Sequence, residues 1–228
     1  SGITLKSGMD CWWRVRVWDN NGKLSGWSTP ANWHMGLLSP DDWKASWIGA
    51  PWQGEKPVGS QSKELPPPAP LLRKQFEVNK PIKSARIYTT GLGYFELYCN
   101  GQKVSNNVLV PNQTLWGKRE NLQNYGIPVQ DNFTEYRVMY LCYDLKPLLQ
   151  QGKNAIGAIL GNGFYNSPSK WVLAYGSPRF IAQLEITYTD GSKATIVTDN
   201  SWKAERSPIV FDMLYEGEHY DARLEYPD

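Results

Sequence analysis

Apolar and polar residues alternate with a period of two along much of this chain. The alternation is most regular in one segment of the C-terminal half: Ala182, Leu184, Ile186 and Tyr188 are separated by Gln183, Glu185 and Thr187. The same alternation occurs over residues 13–17 and 94–99. Because successive side chains of a strand point to opposite faces, each of these segments predicts a strand with one buried face.

Short turn sequences separate the alternating segments. Residues 19–22 read Asp-Asn-Asn-Gly, and an Asn-Gly pair at 100–101 favours a type I′ hairpin turn because both residues tolerate positive φ. Helical patterns are limited to one turn at residues 39–43 and two turns at residues 144–151. Many short strands joined by tight turns predict an all-β protein, specifically an antiparallel β-sandwich of the jelly-roll type.

Three segments interrupt the alternation and predict long loops. Residues 51–70 are rich in proline and predict an extended surface loop, residues 112–135 lack clean periodicity, and residues 161–178 are rich in Gly, Asn, Ser and Pro. Loops longer than about 12–15 residues in a compact domain are often functional. We therefore expect a functional site on these loops.

Charge and composition exclude several functions. The net charge is only +2 and the basic residues are scattered, so the chain has no basic stripe to hold a nucleic acid. No apolar run reaches the roughly 18–20 residues that span a membrane. Cys11, Cys99 and Cys142, with only two histidines, form no zinc-binding spacing. No signal peptide is visible, and Ser1 is typical of a fragment start.

Aromatic residues are abundant, with 11 Trp, 13 Tyr and 6 Phe. Their flat apolar faces suit both the core of a sandwich and the rings of sugars, and core packing is the commoner use.

Several sequence blocks resemble one enzyme family. Residues 12–36 (WWRVRVWDNNGKLSGWSTPANWHMG) resemble the last strands of a fibronectin type III-like domain. The following blocks are similar in order and spacing to the N-terminal β-sandwich of bacterial α-L-rhamnosidases, glycoside hydrolase family 78: WKASWIG at 43–49, LLRKQFEV at 71–78, ARIYTTGLGYFELYCNGQKV at 85–104, VLVP at 108–111, LLQQGKNAIGAILGNGFY at 148–165 and YEGEHYDAR at 215–223.

The resemblance implies three parts of the chain. Residues 1–36 are the C-terminal strands of a fibronectin type III-like domain, residues 37–70 are a linker with the Pro-rich loop, and residues 71–228 are a sandwich similar to carbohydrate-binding modules. Because a complete fibronectin type III domain needs about seven strands, we expect partly exposed tryptophans in the first part: Trp12, Trp13, Trp18, Trp27 and Trp33.

The family implies a multidomain enzyme that removes terminal α-L-rhamnose with inversion, using acidic residues of an (α/α)6 barrel C-terminal to this region. An inverting pair of carboxyl groups lies about 6.5–9.5 Å apart across a sugar pocket. Glu216 and Glu218 are close in sequence, but structural hydrogen bonds explain them better than catalysis. We therefore predict a non-catalytic fragment whose partners are a rhamnose-containing carbohydrate and the catalytic barrel, and not a membrane. Family analogy predicts that the protein is located in the periplasm or on the surface of a bacterium.

The family also implies a candidate site, because some sandwiches of this type hold L-rhamnose through a calcium ion. Asn106 occupies the position of a usual acidic ligand, next to Asn107, and Asn162 matches another contributor. These three residues are the predicted calcium and sugar ligands, since Ca²⁺ prefers carboxylate, amide and backbone oxygens. The predicted stacking faces are Trp116, Phe164, Tyr165 and Trp171.

The sequence leaves two interpretations of the sandwich open. The three asparagines lie beside turns, where Asn is common because it tolerates the left-handed conformation. Asn112 to Trp116 also replace a Gly-Trp-Thr-x-Tyr run that the family tends to carry. The sandwich is therefore either a carbohydrate-recognition module with weak, millimolar affinity or a structural spacer that packs on the barrel.

Overall fold

The chain divides into two units, which we call the hairpin unit (Ser1–Lys44) and the sandwich unit (Ala45–Asp228). This computed structural model describes residues 2–54, 67–114, 116–117, 126, 137–167 and 174–226. Within these ranges no helix is long and apolar enough to cross a membrane. The domain boundaries given by the family resemblance stay predictions.

The hairpin unit is built on one pair of strands. Strand β1 (Asp10–Trp13) pairs antiparallel with β2 (Ala31–His34). Backbone hydrogen bonds continue this pairing up to the turn predicted at residues 19–22. In one of them, Ser28 N donates to Val15 O at 2.8 Å. In that turn Asp19 Oδ1 accepts hydrogen bonds from the backbone amides two and four residues later.

The five tryptophans between residues 12 and 33 are exposed, as predicted. Their exposed fractions run from 44% for Trp33 to 68% for Trp12. A 3₁₀ helix, Pro40–Asp42, follows the hairpin, and Ser39 caps it with its side chain accepting from Asp41 N at 3.2 Å. This confirms the cap and the N1 proline that the sequence predicted.

The sandwich unit contains two antiparallel sheets, which confirms the predicted fold class. The five-stranded sheet has the order β11-β3-β8-β5-β6 and the four-stranded sheet has the order β10-β9-β4-β7. The strands are β3 (Pro70–Val78), β4 (Ile82–Leu92), β5 (Tyr94–Cys99), β6 (Gln102–Lys103), β7 (Leu141–Asp144), β8 (Gly152–Gly161), β9 (Arg179–Tyr188), β10 (Lys193–Val197) and β11 (Lys203–Arg206). A separate hairpin pairs β12 (Ile209–Met213) with β13 (Gly217–Tyr220).

The core lies between the two sheets. Phe95 of the five-stranded sheet and Phe180 of the four-stranded sheet pack with ring centroids 5.6 Å apart. Both sheets contribute their alternate positions, including Leu97, Ile156 and Leu160 on one side and Ile87, Leu184 and Ile186 on the other. The apolar residues of the alternating segments therefore lie on the inward face of each strand.

The predicted turn chemistry is observed at residues 100–101. Asn100 has φ of 50° and Gly101 has φ of 77°, so both residues adopt the positive φ that a type I′ turn needs. The two helical turns predicted over residues 144–151 are wrong. Asp144 ends strand β7, and only a short 3₁₀ helix, Lys146–Leu148, follows. The backbone is extended again at Leu149, with φ of −86° and ψ of 144°, because it leads directly into β8.

The segment before the first long loop is part of the sandwich unit. Ser46 N donates to Thr198 O at 2.8 Å, and Ile48 forms a β-bridge with Phe180 of β9. Residues 46–48 therefore extend the four-stranded sheet. Residues 55–66 of the predicted Pro-rich loop, and most of the predicted loop over 112–135, lie outside the described residues. A last 3₁₀ helix, Ala222–Leu224, follows β13.

Candidate functional site

A groove of about 410 Å³ opens beside the five-stranded sheet, between the ends of β5 and β8 and the β12–β13 hairpin. We call it the hairpin groove. Its lining is mostly apolar, with three acidic residues. The lining residues are Ala69, Tyr94, Phe95, Glu96, Leu109, Ile159, Leu160, Gly161, Gly163, Ile209, Asp212, Met213, Leu214, Gly217 and Glu218.

Two glycines let the walls of the groove approach each other. A Cβ atom at Gly163 would lie 3.0 Å from Tyr94 Cδ2, and Gly163 has φ of +52°. A Cβ atom at Gly161 would lie 3.3 Å from Asp212 Oδ1. Both contacts are tighter than ordinary van der Waals distances, so the turn after β8 needs glycine where Tyr94 and the hairpin close on it.

Asp212 fixes the hairpin to the turn after β8. Its Oδ1 accepts a hydrogen bond from Asn162 N at 2.7 Å, and its Oδ2 accepts one from Asn162 Nδ2 at 2.8 Å. Asn162 Oδ1 in turn accepts from Asn166 Nδ2 at 2.8 Å. Burial raises the pKa of Asp212, against the opposing effect of hydrogen bonds from Asn162 and Gly163, and Glu218 raises it further.

The other two acidic residues lie in different environments. Glu96 is half-buried and accepts hydrogen bonds from Lys103 Nζ and, at 2.8 Å, from the Tyr98 hydroxyl. Burial acts to raise the pKa of Glu96, but these two hydrogen bonds outweigh it and the pKa is lowered. Glu218 is exposed on the hairpin. The described residues that line the groove thus include three carboxylates and no Lys, Arg or His.

An aromatic pair lies beside the groove. The rings of Phe164 and Tyr215 pack edge to face with centroids 6.0 Å apart, and Tyr215 is 65% exposed. Burial raises the pKa of Tyr94 in the groove wall, and the nearby Tyr215 adds to this effect. The exposed Tyr215 and the half-buried Tyr94 thus offer flat apolar rings that carry hydroxyl groups at the edge of the groove.

The structure brings some of the predicted site residues together. The Trp116 and Tyr165 rings pack with centroids 5.6 Å apart, and both contact Tyr175. The segment after β6 also reaches the turn after β8 at the hairpin groove, because Leu109 and Gly163 both line it. Trp116 of the second predicted loop therefore contacts the third predicted loop, and Leu109, which precedes the second loop, lines the same groove as Gly163.

Other predicted residues differ in burial or in the residues that they contact. Asn162 is 3% exposed, whereas Asn106 and Asn107 are exposed, and Asn107 Nδ2 donates to the Tyr143 hydroxyl at 3.3 Å. Phe164 packs on Tyr215 and not with Trp116 and Tyr165. Trp171 lies outside the described residues.

The residues predicted to hold calcium offer a weak fit in this arrangement. Among the described residues, no group of three or more His, Cys, Asp or Glu side chains is placed to hold a metal ion. Asn162 Oδ1 already accepts from Asn166, so a cation at that oxygen would compete with an internal hydrogen bond. The ligand roles of Asn106, Asn107 and Asn162 stay predictions.

The sequence reasoning missed the β12–β13 hairpin as a wall of the site. Residues 209–213 are a short apolar run with one acid, and Gly217, with φ of +84°, follows a turn. This pattern identifies a hairpin, but only the folded structure shows Asp212 meeting Asn162, which is 50 residues earlier.

The described residues thus form an antiparallel β-sandwich with a mostly apolar groove, and a separate β-hairpin unit. The family model described as the alpha-L-rhamnosidase N-terminal domain matches residues 80–132 and 128–228. The model described as the Rha78A-like N-terminal immunoglobulin domain matches residues 1–39. The chain therefore belongs to the α-L-rhamnosidase family.

Curated relatives agree with this assignment. An α-L-rhamnosidase of Formosa agariphila is 36% identical over 231 residues, covering 99% of this chain and 23% of the relative. An α-L-rhamnosidase of Alteromonas sp. (strain LOR) is 39% identical over 229 residues, covering 98% of this chain and 23% of the relative. The chain thus spans about a quarter of the length of these relatives.

Solved structures show the same fold. The α-L-rhamnosidase from Dictyoglumus thermophilum aligns with a TM-score of 0.80 and 36% identity, over 99% of this chain and 24% of that one. The Streptomyces avermitilis α-L-rhamnosidase complexed with L-rhamnose aligns with a TM-score of 0.81 and 21% identity, over 99% of this chain and 36% of that one. The second likeness supports the fold alone.

Proposed function

We propose that this chain is a non-catalytic accessory part of an α-L-rhamnosidase, and that the sandwich unit binds rhamnose-containing carbohydrate in the hairpin groove. The observation that carries the proposal is the groove itself, at about 410 Å³. This volume lies in the range of small-molecule sites. We place this function at the periplasm or surface of a bacterium, on family analogy alone.

The chemistry of the groove suits a sugar. Tyr94, Leu109 and Met213 offer apolar surface to the C–H faces of a pyranose ring. The carboxylates of Asp212 and Glu218 accept hydrogen bonds from hydroxyl groups, and charged acceptors form the stronger hydrogen bonds. A bound sugar raises the local concentration of substrate for a catalytic part that is tethered to the same protein.

The same groove is a poor catalytic site. Both oxygens of Asp212 accept hydrogen bonds from Asn162, which fixes this carboxylate as a hydrogen-bond acceptor and not as a free acid or base. Pure protein should therefore show no turnover of an aryl α-L-rhamnoside. Turnover that disappears in Glu216→Gln or Glu218→Gln would contradict the non-catalytic part of the proposal.

The binding proposal is tested by isothermal titration of the chain with L-rhamnose. Tyr94 and Tyr98 lie four residues apart on the same face of β5, both half-buried, but Tyr94 lines the groove and Tyr98 does not. Tyr94→Ala should weaken a millimolar affinity by about tenfold or abolish it, whereas Tyr98→Ala should leave it unchanged. Equal affinities for the wild type and Tyr94→Ala would contradict binding in this groove.

The second candidate function is that of a spacer which packs on the catalytic part of the parent protein. A second, apolar depression of about 310 Å³ lies on the outer face of the five-stranded sheet, lined in part by Leu71 and Tyr98, and it shares Ile159 with the hairpin groove. Gly157, which also lines it, has no room for a side chain, since a Cβ atom there would lie 2.9 Å from Leu72 O. Such apolar faces are typical of surfaces that another domain covers.

Leu71 separates the two functions because it lines the depression and not the hairpin groove. Leu71→Glu should weaken association with the separately prepared catalytic part, measured by analytical ultracentrifugation, and leave rhamnose affinity unchanged. An unchanged association would contradict docking through this face.

A further inference from the structure

We infer that the hairpin groove selects uncharged sugars and rejects glycans that carry a carboxylate or sulfate on the residue bound there. The inference rests on the proposed carbohydrate function and adds the charge class of the ligand. The groove, with its apolar walls and its volume of about 410 Å³, defines the site. The charges around it define what the site accepts.

The charged residues that line the groove, among those described, are all acidic. Glu96, Asp212 and Glu218 line it, and none of the other described lining residues is a cation. Lys103 neutralises Glu96 through an ion pair. The hydrogen-bond donors to Asp212 are amides of Asn162 and Gly163, which carry no net charge. Among the described lining residues, the negative charges of Asp212 and Glu218 are therefore not balanced by a cation.

The ion pairs among the described residues leave this potential in place. They join Asp10, Asp190, Asp199, Asp221 and Glu96 to a basic residue, and neither Asp212 nor Glu218 is in such a pair. Asp212 is half-buried, whereas Glu218 is exposed, and water screens a half-buried charge less than one at the surface. A hydroxyl group donates to these oxygens, whereas a sulfate or carboxylate offers only acceptors and a like charge.

The inference predicts a preference that depends on ionic strength. At 20 mM salt, a neutral probe, methyl α-L-rhamnoside, should bind at least about tenfold more tightly than L-rhamnose 3-sulfate or a rhamnosyl-glucuronate disaccharide. The ratio should fall toward one at high salt, because the Debye length shortens from tens of ångströms to about 3 Å at 1 M. Isothermal titration of the chain with each probe measures the ratio.

A matched pair of variants assigns the preference to the groove. Glu216 and Glu218 lie in the same hairpin and are both exposed, but only Glu218 lines the groove. Glu218→Gln should reduce the ratio of neutral to anionic affinity severalfold, and Glu216→Gln should leave it unchanged. Circular dichroism of both variants checks that the sandwich is folded.

The outcomes separate this inference from the function on which it rests. If no probe binds, the proposed carbohydrate function fails. If neutral and anionic probes bind equally, or anionic probes bind more tightly, carbohydrate binding stands and the charge selection is overturned. Equal effects of Glu218→Gln and Glu216→Gln would also overturn the assignment to the groove, because general surface charge would then explain the ratio.

Discussion

The hairpin unit and the sandwich unit share the same alternating sequence pattern, but they bury it to very different extents. Phe180 and Leu184 of the sandwich unit are 0% and 1% exposed. Trp12 and Trp18 of the hairpin unit are 68% and 64% exposed. Alternation with a period of two therefore predicts a strand in both units, whereas burial depends on a second sheet facing the first.

The hairpin unit stabilises its tryptophans by another interaction. The Arg16 guanidinium lies 4.5 Å from the ring centroid of Trp27 and 5.9 Å from that of Trp18, and Arg14 lies 4.7 Å from Trp27. Cation–π contacts at exposed sites contribute about 0.5–1 kcal/mol each. A two-stranded hairpin is marginally stable in water. The comparison therefore predicts large mutational effects in the sandwich unit and small ones in the hairpin unit.

The largest expected difference is between two aliphatic truncations. Leu184→Ala removes a side chain from the core between the sheets and should cost about 2–5 kcal/mol of the free energy of unfolding. Val17→Ala truncates a side chain of the hairpin unit that is 60% exposed, and should cost less than about 0.5 kcal/mol. Urea denaturation followed by far-UV circular dichroism measures both. Equal losses would show that the hairpin unit has a core of its own.

A smaller effect is expected at the wall of the hairpin groove. Asp212→Asn replaces an acceptor oxygen with an NH₂ group next to the Asn162 amide, so one hydrogen bond is lost at a cost of about 1 kcal/mol. The pKa of Asp212 is raised above its ordinary value of 3.8, so the wild type is stabilised by protonation at low pH. This contribution is lost as the pH rises through the raised pKa. The stability difference between the wild type and the variant should therefore narrow as the pH increases.

Asp190 provides a control, because its pKa is shifted in the opposite direction. It is exposed in a turn, and hydrogen bonds from Lys80 and Ser192 lower its pKa. Its contribution is present above its ordinary pKa and is lost as the pH falls, so Asp190→Asn should change the pH dependence in the opposite direction. Urea titrations between about pH 2 and 7 compare the variants, because the contribution of Asp190 is lost mainly below its ordinary pKa of 3.8. Parallel pH profiles for wild type and Asp212→Asn would contradict a raised pKa.

The sequence predicts the fold well because the determinants of the strands are local. Alternation identifies the inward positions of β5 and β9, and the Asn100-Gly101 pair identifies its turn. The candidate groove was predicted only in part. The predicted loop over residues 161–178 contributes Gly161 and Gly163, but Asp212 and Asn162 are 50 residues apart and meet only in the folded chain. Pairings of this kind depend on how the hairpin packs, which periodicity does not encode.

Removing the cation–π contacts of the hairpin unit should cause a smaller loss of stability. Arg16→Ala removes contacts to both Trp18 and Trp27 and should lower the stability of this unit by about 1 kcal/mol. Lys23→Ala, in the turn of the same hairpin, should change it by less. Six of the 11 tryptophans belong to the hairpin unit, so tryptophan fluorescence during urea denaturation includes its transition, and far-UV circular dichroism follows the sandwich unit for comparison. An effect of Arg16→Ala no larger than that of Lys23→Ala would show that the stacking is not stabilising.

The smallest expected effect concerns calcium, and it tests the site that the family resemblance predicted. Asn106 is exposed and Asn162 is buried, with its Oδ1 bound to Asn166, so the two residues differ in what they can offer to a cation. Hard cations favour anionic oxygens, and Asn106→Asp supplies one. If Asn106, Asn107 and Asn162 form a site, this variant should bind calcium and rhamnose more tightly than the wild type, whose affinity should be millimolar, about −4 kcal/mol.

Asn112→Asp is the matched control, since Asn112 is also exposed but outside the predicted ligand set. Titrations with calcium, and with L-rhamnose in the presence of calcium or of a chelator, compare the two variants. A gain in Asn106→Asp alone supports the predicted site near residues 105–107. If neither variant changes either affinity, these asparagines act only in their turns. Rhamnose that binds equally well with the chelator would then point to the hairpin groove, where Asp212 and Glu218 need no cation to accept hydrogen bonds from hydroxyl groups.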